Sequence, residues 1–204
     1  MSADANYLDR RGEIQTYFDR TAAQAWERLT STAPVGRIRA TVRAGRDRMR
    51  STLLSWLPED LQGRRILDAG CGTGALGLTA AMLSGTGRVL MVDADAEAVR
   101  CASRGITKAG VTNAEVRASD VGSAVGDERF DVVVANPPFH QGKTTDLLVP
   151  RQFIADAYAH LNAKGRLLLV ANRTLPYEQL IADRFGEVRT LHDGRRFKVL
   201  SGTR

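Results

Sequence analysis

The chain has 204 residues, 43% of them hydrophobic and 25% charged, a composition that suits one ordinary core and excludes collagen, coiled coil and wholesale disorder. Its formal net charge of +6 permits a polyanionic partner without requiring one. Two cysteines, Cys71 and Cys101, are too few for a disulfide framework and stand apart from any cysteine or histidine cluster, so reduced thiols and no metal centre are expected.

Residues 1–62 show no strand-like alternation; their apolar residues recur at helical spacing. A helix is predicted over 13–29, with Ile14, Tyr17, Phe18, Ala22, Ala25, Trp26 and Leu29 on one face, and a break follows at Pro34. A second is predicted over 35–56, with Ile38, Val42, Met49, Leu53 and Trp56 inward and Pro58 ending it. Arg39, Arg43, Arg46 and Arg50 form a stripe on its polar face, read equally as a grip for phosphates or carboxylates and as a solvated outer face. The N-terminus carries charges where a signal peptide needs an apolar run, and no stretch of about 18 uncharged apolar residues occurs, so a cytoplasmic protein without a membrane span is expected.

From Arg64 onward short apolar runs alternate with helical segments. Strands are predicted at 65–68, 88–93, 114–117, 130–135, 166–171, 187–191 and 197–201, and helices from the glycine turn through Met82 and at 95–109, 151–162 and 176–184. Only His192-Asp193-Gly194 separates the last two strands, which implies a mostly parallel sheet with one hairpin at its edge. The expected fold is α/β: a Rossmann-like seven-stranded sheet over residues 63–204 behind an N-terminal helical cap at 1–62.

The first strand leads into Ala69-Gly70-Cys71-Gly72-Thr73-Gly74 and then a helix, the order a nucleotide site requires. Gly70, Gly72 and Gly74 let the backbone turn tightly and approach a ligand, and Asp68 can accept from an ammonium group or through water. Asp93 ends the second strand, 25 positions after Asp68, where a carboxylate can accept both hydroxyls of a ribose. Asp120, read as ending the third strand, can accept from an adenine amino group. Three acceptors on successive strand ends describe an adenosine ligand with an aminoacyl arm. A nicotinamide cofactor is disfavoured, because the turn reads Gly-X-Gly-X-Gly and its pyrophosphate would avoid nearby anions.

After the fourth strand comes Asn136-Pro137-Pro138-Phe139. An exocyclic amine on a nucleobase is a poor nucleophile because its lone pair is delocalised into the ring. The Asn136 side-chain oxygen and the Pro137 carbonyl can each accept one amino hydrogen and hold the nitrogen toward tetrahedral geometry, while Phe139 offers a stacking face. His140 follows, and a loop histidine without an assigned partner is not read as a base.

The segment Leu67-Asp68-Ala69-Gly70-Cys71-Gly72-Thr73-Gly74 resembles motif I of class I S-adenosylmethionine-dependent methyltransferases, and the resemblance spans about residues 64–201. It implies S-adenosylmethionine as cofactor. Asn136-Pro137-Pro138-Phe139-His140-Gln141-Gly142, with residues 170–178 and 194–199, resembles the guanine-N2 methyltransferases of 16S ribosomal RNA, implying Asn136, Pro137 and Phe139 as catalytic residues and ribosomal RNA as partner. Residues 7–74, through the texts at 17–29, 37–50 and 54–61, are similar instead to magnesium-protoporphyrin IX methyltransferases, which esterify a propionate and have no need of an amino clamp. The chain therefore reads as a composite, natural or engineered, joined near 72–80. Porphyrin carboxylate O-methylation, and a cofactor-binding scaffold without turnover, stand as the alternatives to amine methylation.

Overall fold

The computed structural model describes residues 55, 61–137 and 147–204. The predicted helices over 13–29 and 35–56, and with them the Arg39, Arg43, Arg46 and Arg50 stripe and the rest of the cap, lie outside the described residues apart from Ser55, Leu61 and Gln62. Within the described residues the order is β1 (Arg65–Ala69), α1 (Ala75–Ser84), β2 (Arg88–Asp93), α2 (Ala96–Ala109), β3 (Ala114–Ala118), β4 (Phe130–Ala135), α3 (Leu148–His160), β5 (Leu161–Asn172), α4 (Tyr177–Phe185), β6 (Val188–Asp193) and β7 (Phe197–Thr203). None of these helices is long and apolar enough to cross a membrane.

All seven strands form one sheet in the order β3-β2-β1-β4-β5-β7-β6. Strands β3, β2, β1, β4 and β5 pair in parallel, and β7 runs antiparallel between β5 and β6. The Rossmann-like sheet with a terminal hairpin is therefore as the sequence pattern predicts. Val89–Val92, Val132–Ala135 and Leu167–Ala171 are buried without alternation, because helices cover both faces of a parallel sheet and leave neither side for water. Phe130 and Tyr177 are the bulkiest fully buried side chains among the described residues. Helix α2 is bounded by local chemistry: the Asp95 carboxylate accepts the Glu97 N–H at 2.8 Å, and Gly110 closes the other end at φ 65°.

Several boundaries differ from the sequence reading, most of all around α3, β5 and the hairpin turn. Helix α3 begins at Leu148, upstream of Pro150, because a proline in the first turn sacrifices only an N–H that has no helical partner. It ends at His160 rather than at 162, and β5 begins at once: Leu161 is extended (φ −78°, ψ 145°) and pairs with Phe130. A register shift between Phe130 and Val132 then lets the chain bulge through Lys164, at φ 63°, before Arg166 rejoins β4 opposite Val132. The hairpin turn likewise moves on: His192 and Asp193 belong to β6, and Gly194 donates its N–H to the Phe197 carbonyl at 2.9 Å to close the loop.

The strand order reverses at β1, with β2 on one side and β4 on the other, so the crevice for a ligand opens at the carboxyl ends of these strands. Ala69 is level with Val92 on one side and Ala135 on the other. The next residue of each strand therefore forms a row: Asn136, Gly70 and Asp93. Behind it Gly74 starts α1 at φ 76°, where an added Cβ would lie 2.8 Å from the Ala102 Cβ and 3.1 Å from its Cα. Gly74→Ala is expected to lower unfolding stability by about 2–4 kcal/mol, combining left-handed strain with overpacking against α2, as measured by urea denaturation. A variant as stable as the parent would show that α1 and α2 separate freely.

Candidate functional site

Main-chain donors around the glycine turn converge on the strand ends. Gly70 and Cys71 donate to the Val92 carbonyl at 2.9 and 3.0 Å, and Gly74 donates to the Cys71 carbonyl at 2.9 Å. Gly72 donates its N–H to Asp93 Oδ2 at 2.8 Å, and Asp95 donates to Asp93 Oδ1 at 2.9 Å. Asp93 thus ties the turn after β1 to the start of α2. Each of its oxygens retains a second lone pair.

The three predicted glycines are not equivalent. A Cβ on Gly70 would meet Phe153 of α3 at 3.3 Å, with the Asn136 carbonyl 3.8 Å away; one on Gly74 would collide with α2; one on Gly72, at φ 54°, would meet nothing within 4 Å. Gly72 is the position where the turn opens outward. Gly77 escapes the motif reading, yet its N–H donates to Asp68 Oδ2 at 2.8 Å, and a Cβ there would sit 2.4 Å from Met91 Cγ. The only sequence signal for it is a small residue one turn into the helix.

Asp68 is 4% exposed, and among the described residues that hydrogen bond is the only one it makes, with nothing donating to its Oδ1. Burial raises its pKa to about 7, the Gly77 N–H opposes the rise, and the Asp93 charge adds to it. Asp93 is also pushed up by burial, against the pull of the Asp95 and Gly72 N–H groups. Burial, then the charges of Asp68 and Asp93, push the Cys71 thiol up as well, so it is held as an unreactive thiol. Two carboxylates under one turn, with no cation beside them among the described residues, make this a site that attracts positive charge.

Asp120 does not end β3. The strand stops at Ala118, level with Asp93, and Asp120 stands two residues further in a turn. That turn is tightly specified: Ser123 Oγ accepts the Asp120 N–H at 3.1 Å, Ser119 Oγ accepts the Ala124 N–H at 3.0 Å, and Asp156 of α3 accepts the Gly122 N–H at 3.0 Å. Its Val121 holds φ 49°, a strained conformation for a β-branched residue that these bonds enforce. Across the crevice Asn136 is exposed and Pro137 is buried, while Phe139 and His140 lie outside the described residues. The structure therefore brings Asp68, Gly70, Gly72, Asp93 and Asn136 to one edge, with Asp120 beside them.

Residues 43–201 match the family model described as methyltransferase small domain. The chain belongs to this family. A relative from Hahella chejuensis, ribosomal RNA small subunit methyltransferase C, is 42% identical over 162 residues, covering 79% of this chain and 46% of the relative. The chain thus spans just under half the length of the curated relatives it matches. The T. thermophilus 16S rRNA N2 G1207 methyltransferase, solved with AdoMet and guanosine, superposes with a TM-score of 0.69 at 32% identity, over 86% of this chain and 45% of that one. The magnesium protoporphyrin IX methyltransferase of Synechocystis PCC 6803, solved with bound SAH, gives a TM-score of 0.75 over 95% of this chain and 99% of that one; at 16% identity this likeness is one of fold. The class I methyltransferase fold read from the glycine motif is thereby borne out, and both resemblances have a counterpart among the solved structures.

The buried carboxyl of Asp68 carries a pH dependence. Its pKa is higher in the folded protein than the 3.8 of the free group, so the folded state holds more protons between about pH 4 and 7 and loses stability as pH rises through that window. Asp68→Asn keeps the acceptor for Gly77 and removes the charge. Urea denaturation across that window should show the variant gaining on the parent as pH rises, by roughly 4 kcal/mol at neutrality, and a pH-independent difference would contradict the shift.

Proposed function

We propose that this protein transfers the methyl group of S-adenosylmethionine to an exocyclic amine, guanine N2 of 16S ribosomal RNA, in the cytoplasm where that RNA is assembled. The observation that carries the reading is the row Asn136, Gly70, Asp93: an amide poised to accept from an amine stands level with a turn built to receive a nucleoside. The relatives named for small-subunit ribosomal RNA methylation, and the neighbour solved with AdoMet and guanosine, support the substrate class.

The residues present suit the cofactor. The spare lone pairs of Asp93 match a ribose diol, the open side of Gly72 leaves room for the ligand to lie against the backbone, and Asp68 Oδ1, which takes no donor among the described residues, suits an ammonium group directly or through water. Asp120, whose N–H is held by Ser123 Oγ beside this edge, serves in this reading as the acceptor for an adenine amino group. When bound, S-adenosylmethionine supplies an electrophilic methyl on a sulfonium.

The remaining work falls to the protein. Asn136 and the Pro137 carbonyl accept the two amino hydrogens, keep the lone pair out of the ring and aim it at the methyl, and Phe139 stacks on the base. No strong base is required, because the nitrogen sheds its proton after transfer. A porphyrin propionate presents an oxygen that needs no such clamp, so the Asn-Pro-Pro segment favours the amine.

The reading is tested by separating binding from rate. Asn136→Ala should leave calorimetric affinity for S-adenosylhomocysteine nearly unchanged while lowering tritiated-methyl transfer to 30S subunits or their RNA by about tenfold or more, since the clamp acts in the transition state. Asp93→Ala should instead weaken cofactor binding by about 1–3 kcal/mol, the loss of a charged acceptor. Full activity of the Asn136 variant, or methylation of magnesium protoporphyrin alone, would overturn the amine reading.

A further inference from the structure

Residues 170–178 and 194–199 look unrelated in the sequence, but the structure interlocks them. Strand β7 runs antiparallel to β5, so its first residues lie where β5 ends: Asn172 pairs with Phe197 and Ala171 with Lys198. The tip of the β6–β7 hairpin, Gly194-Arg195-Arg196, therefore projects from the same edge of the sheet as the Asn136 row. Two strand spacings separate β7 from β4, a lateral distance of about 10 Å.

The hairpin tip is held firmly. Gly194 donates to the Phe197 carbonyl, Arg173 donates its N–H to the Arg196 carbonyl at 3.2 Å, and the His192 and Phe197 rings pack with centroids 5.4 Å apart. Below it Lys198, buried, donates to the Leu175 carbonyl at 2.9 Å and pairs with Glu178 at 2.5 Å. Arg173 pairs with Asp193 at 2.8 Å. Both carboxylates of the cluster are thus matched to Lys198 and Arg173. Arg195 and Arg196 are left over: both are exposed, and among the described residues neither has a carboxylate within ion-pair distance. Two uncompensated guanidinium groups on a stiff loop at the rim of the crevice suit a phosphodiester backbone, whose oxygens they bind in forked geometry.

We propose that Arg195 and Arg196 grip the backbone phosphates of the RNA strand beside the nucleotide being methylated; this rests on the RNA reading above. The grip is electrostatic and blind to base sequence, so it sets affinity and register rather than the choice of base.

The test is the salt dependence of binding to a short fluorescein-labelled RNA hairpin containing guanine, followed by fluorescence anisotropy between about 50 and 200 mM salt, for the full chain and for Arg195→Gln/Arg196→Gln. The double variant should bind more weakly at low salt, and its plot of log affinity against log salt should be shallower by about 1–2 units, at roughly 0.7–0.9 per phosphate released. Affinity for S-adenosylhomocysteine should be unchanged, and Arg195→Lys/Arg196→Lys, which keeps the charge, should restore most of the slope. Parallel plots for parent and Gln variant would overturn the grip while leaving the RNA reading intact. A parent that binds no RNA at all would overturn both.

Discussion

The Asp93 carboxylate is the interaction on which this site depends. It accepts one N–H from the turn after β1 and another from the entry to α2, so a single side chain sets the spacing between two strand ends. Main-chain donors of this kind are otherwise costly at the rim of a parallel sheet, because each must find an acceptor or water. Using a carboxylate as that acceptor binds the turn strongly, since a charged acceptor roughly doubles the strength of the bond. It also leaves negative charge at the place where the strand order reverses.

That charge is compounded by Asp68, one strand over and buried beneath α1. Burial raises the pKa of both carboxylates, the Asp93 charge adds to the rise at Asp68, and the protein accepts the cost without placing a cation beside them among the described residues. Structural economy would have put an asparagine at either position. On the proposed reading, a ligand carrying positive charge, with a diol on the same side, is the reason acids stand there. The same edge continues to Asn136 on one flank and to the Asp120 turn on the other, where strain at Val121 and the Asp156 bond indicate a position held to tolerance rather than a loose connection.

Much of this was legible before the structure. The runs Val89–Val92 and Val132–Val134 read as parallel strands because both faces are covered, and Asp93 is recognisable from its place after such a run. Leu161 to Gly165 was not, because Leu161 continues the apolar spacing of α3 and only its pairing with Phe130 turns it into a strand. Gly77 and Asp156 were invisible for another reason: Gly77 donates its own main-chain N–H and Asp156 accepts that of Gly122, and main-chain N–H groups are ones no motif records. Asp120 was read as the end of β3 but stands two residues beyond it, because the Ser119 and Ser123 bonds, not apolar pattern, shape the turn there. The interlock of Arg173 with Asp193, and of Lys198 with Glu178, joins segments some 20 residues apart and emerges only once β7 is seen to insert between β5 and β6.

The claim that the paired carboxylates exist to receive a cationic nucleoside cofactor is tested most directly by proton counting. S-Adenosylmethionine should be titrated calorimetrically into the protein at pH values on both sides of 7, in buffers of different ionisation enthalpy. Below pH 7 Asp68 is largely protonated in the free protein and must give up its proton to meet a cation. Affinity should therefore rise with pH up to about 7 and level off above it, with up to about one proton released per cofactor on the acid side. Binding without proton release at acid pH, or affinity that falls as pH rises toward 7, would contradict the assignment of Asp68 and with it the electrostatic reason for the site.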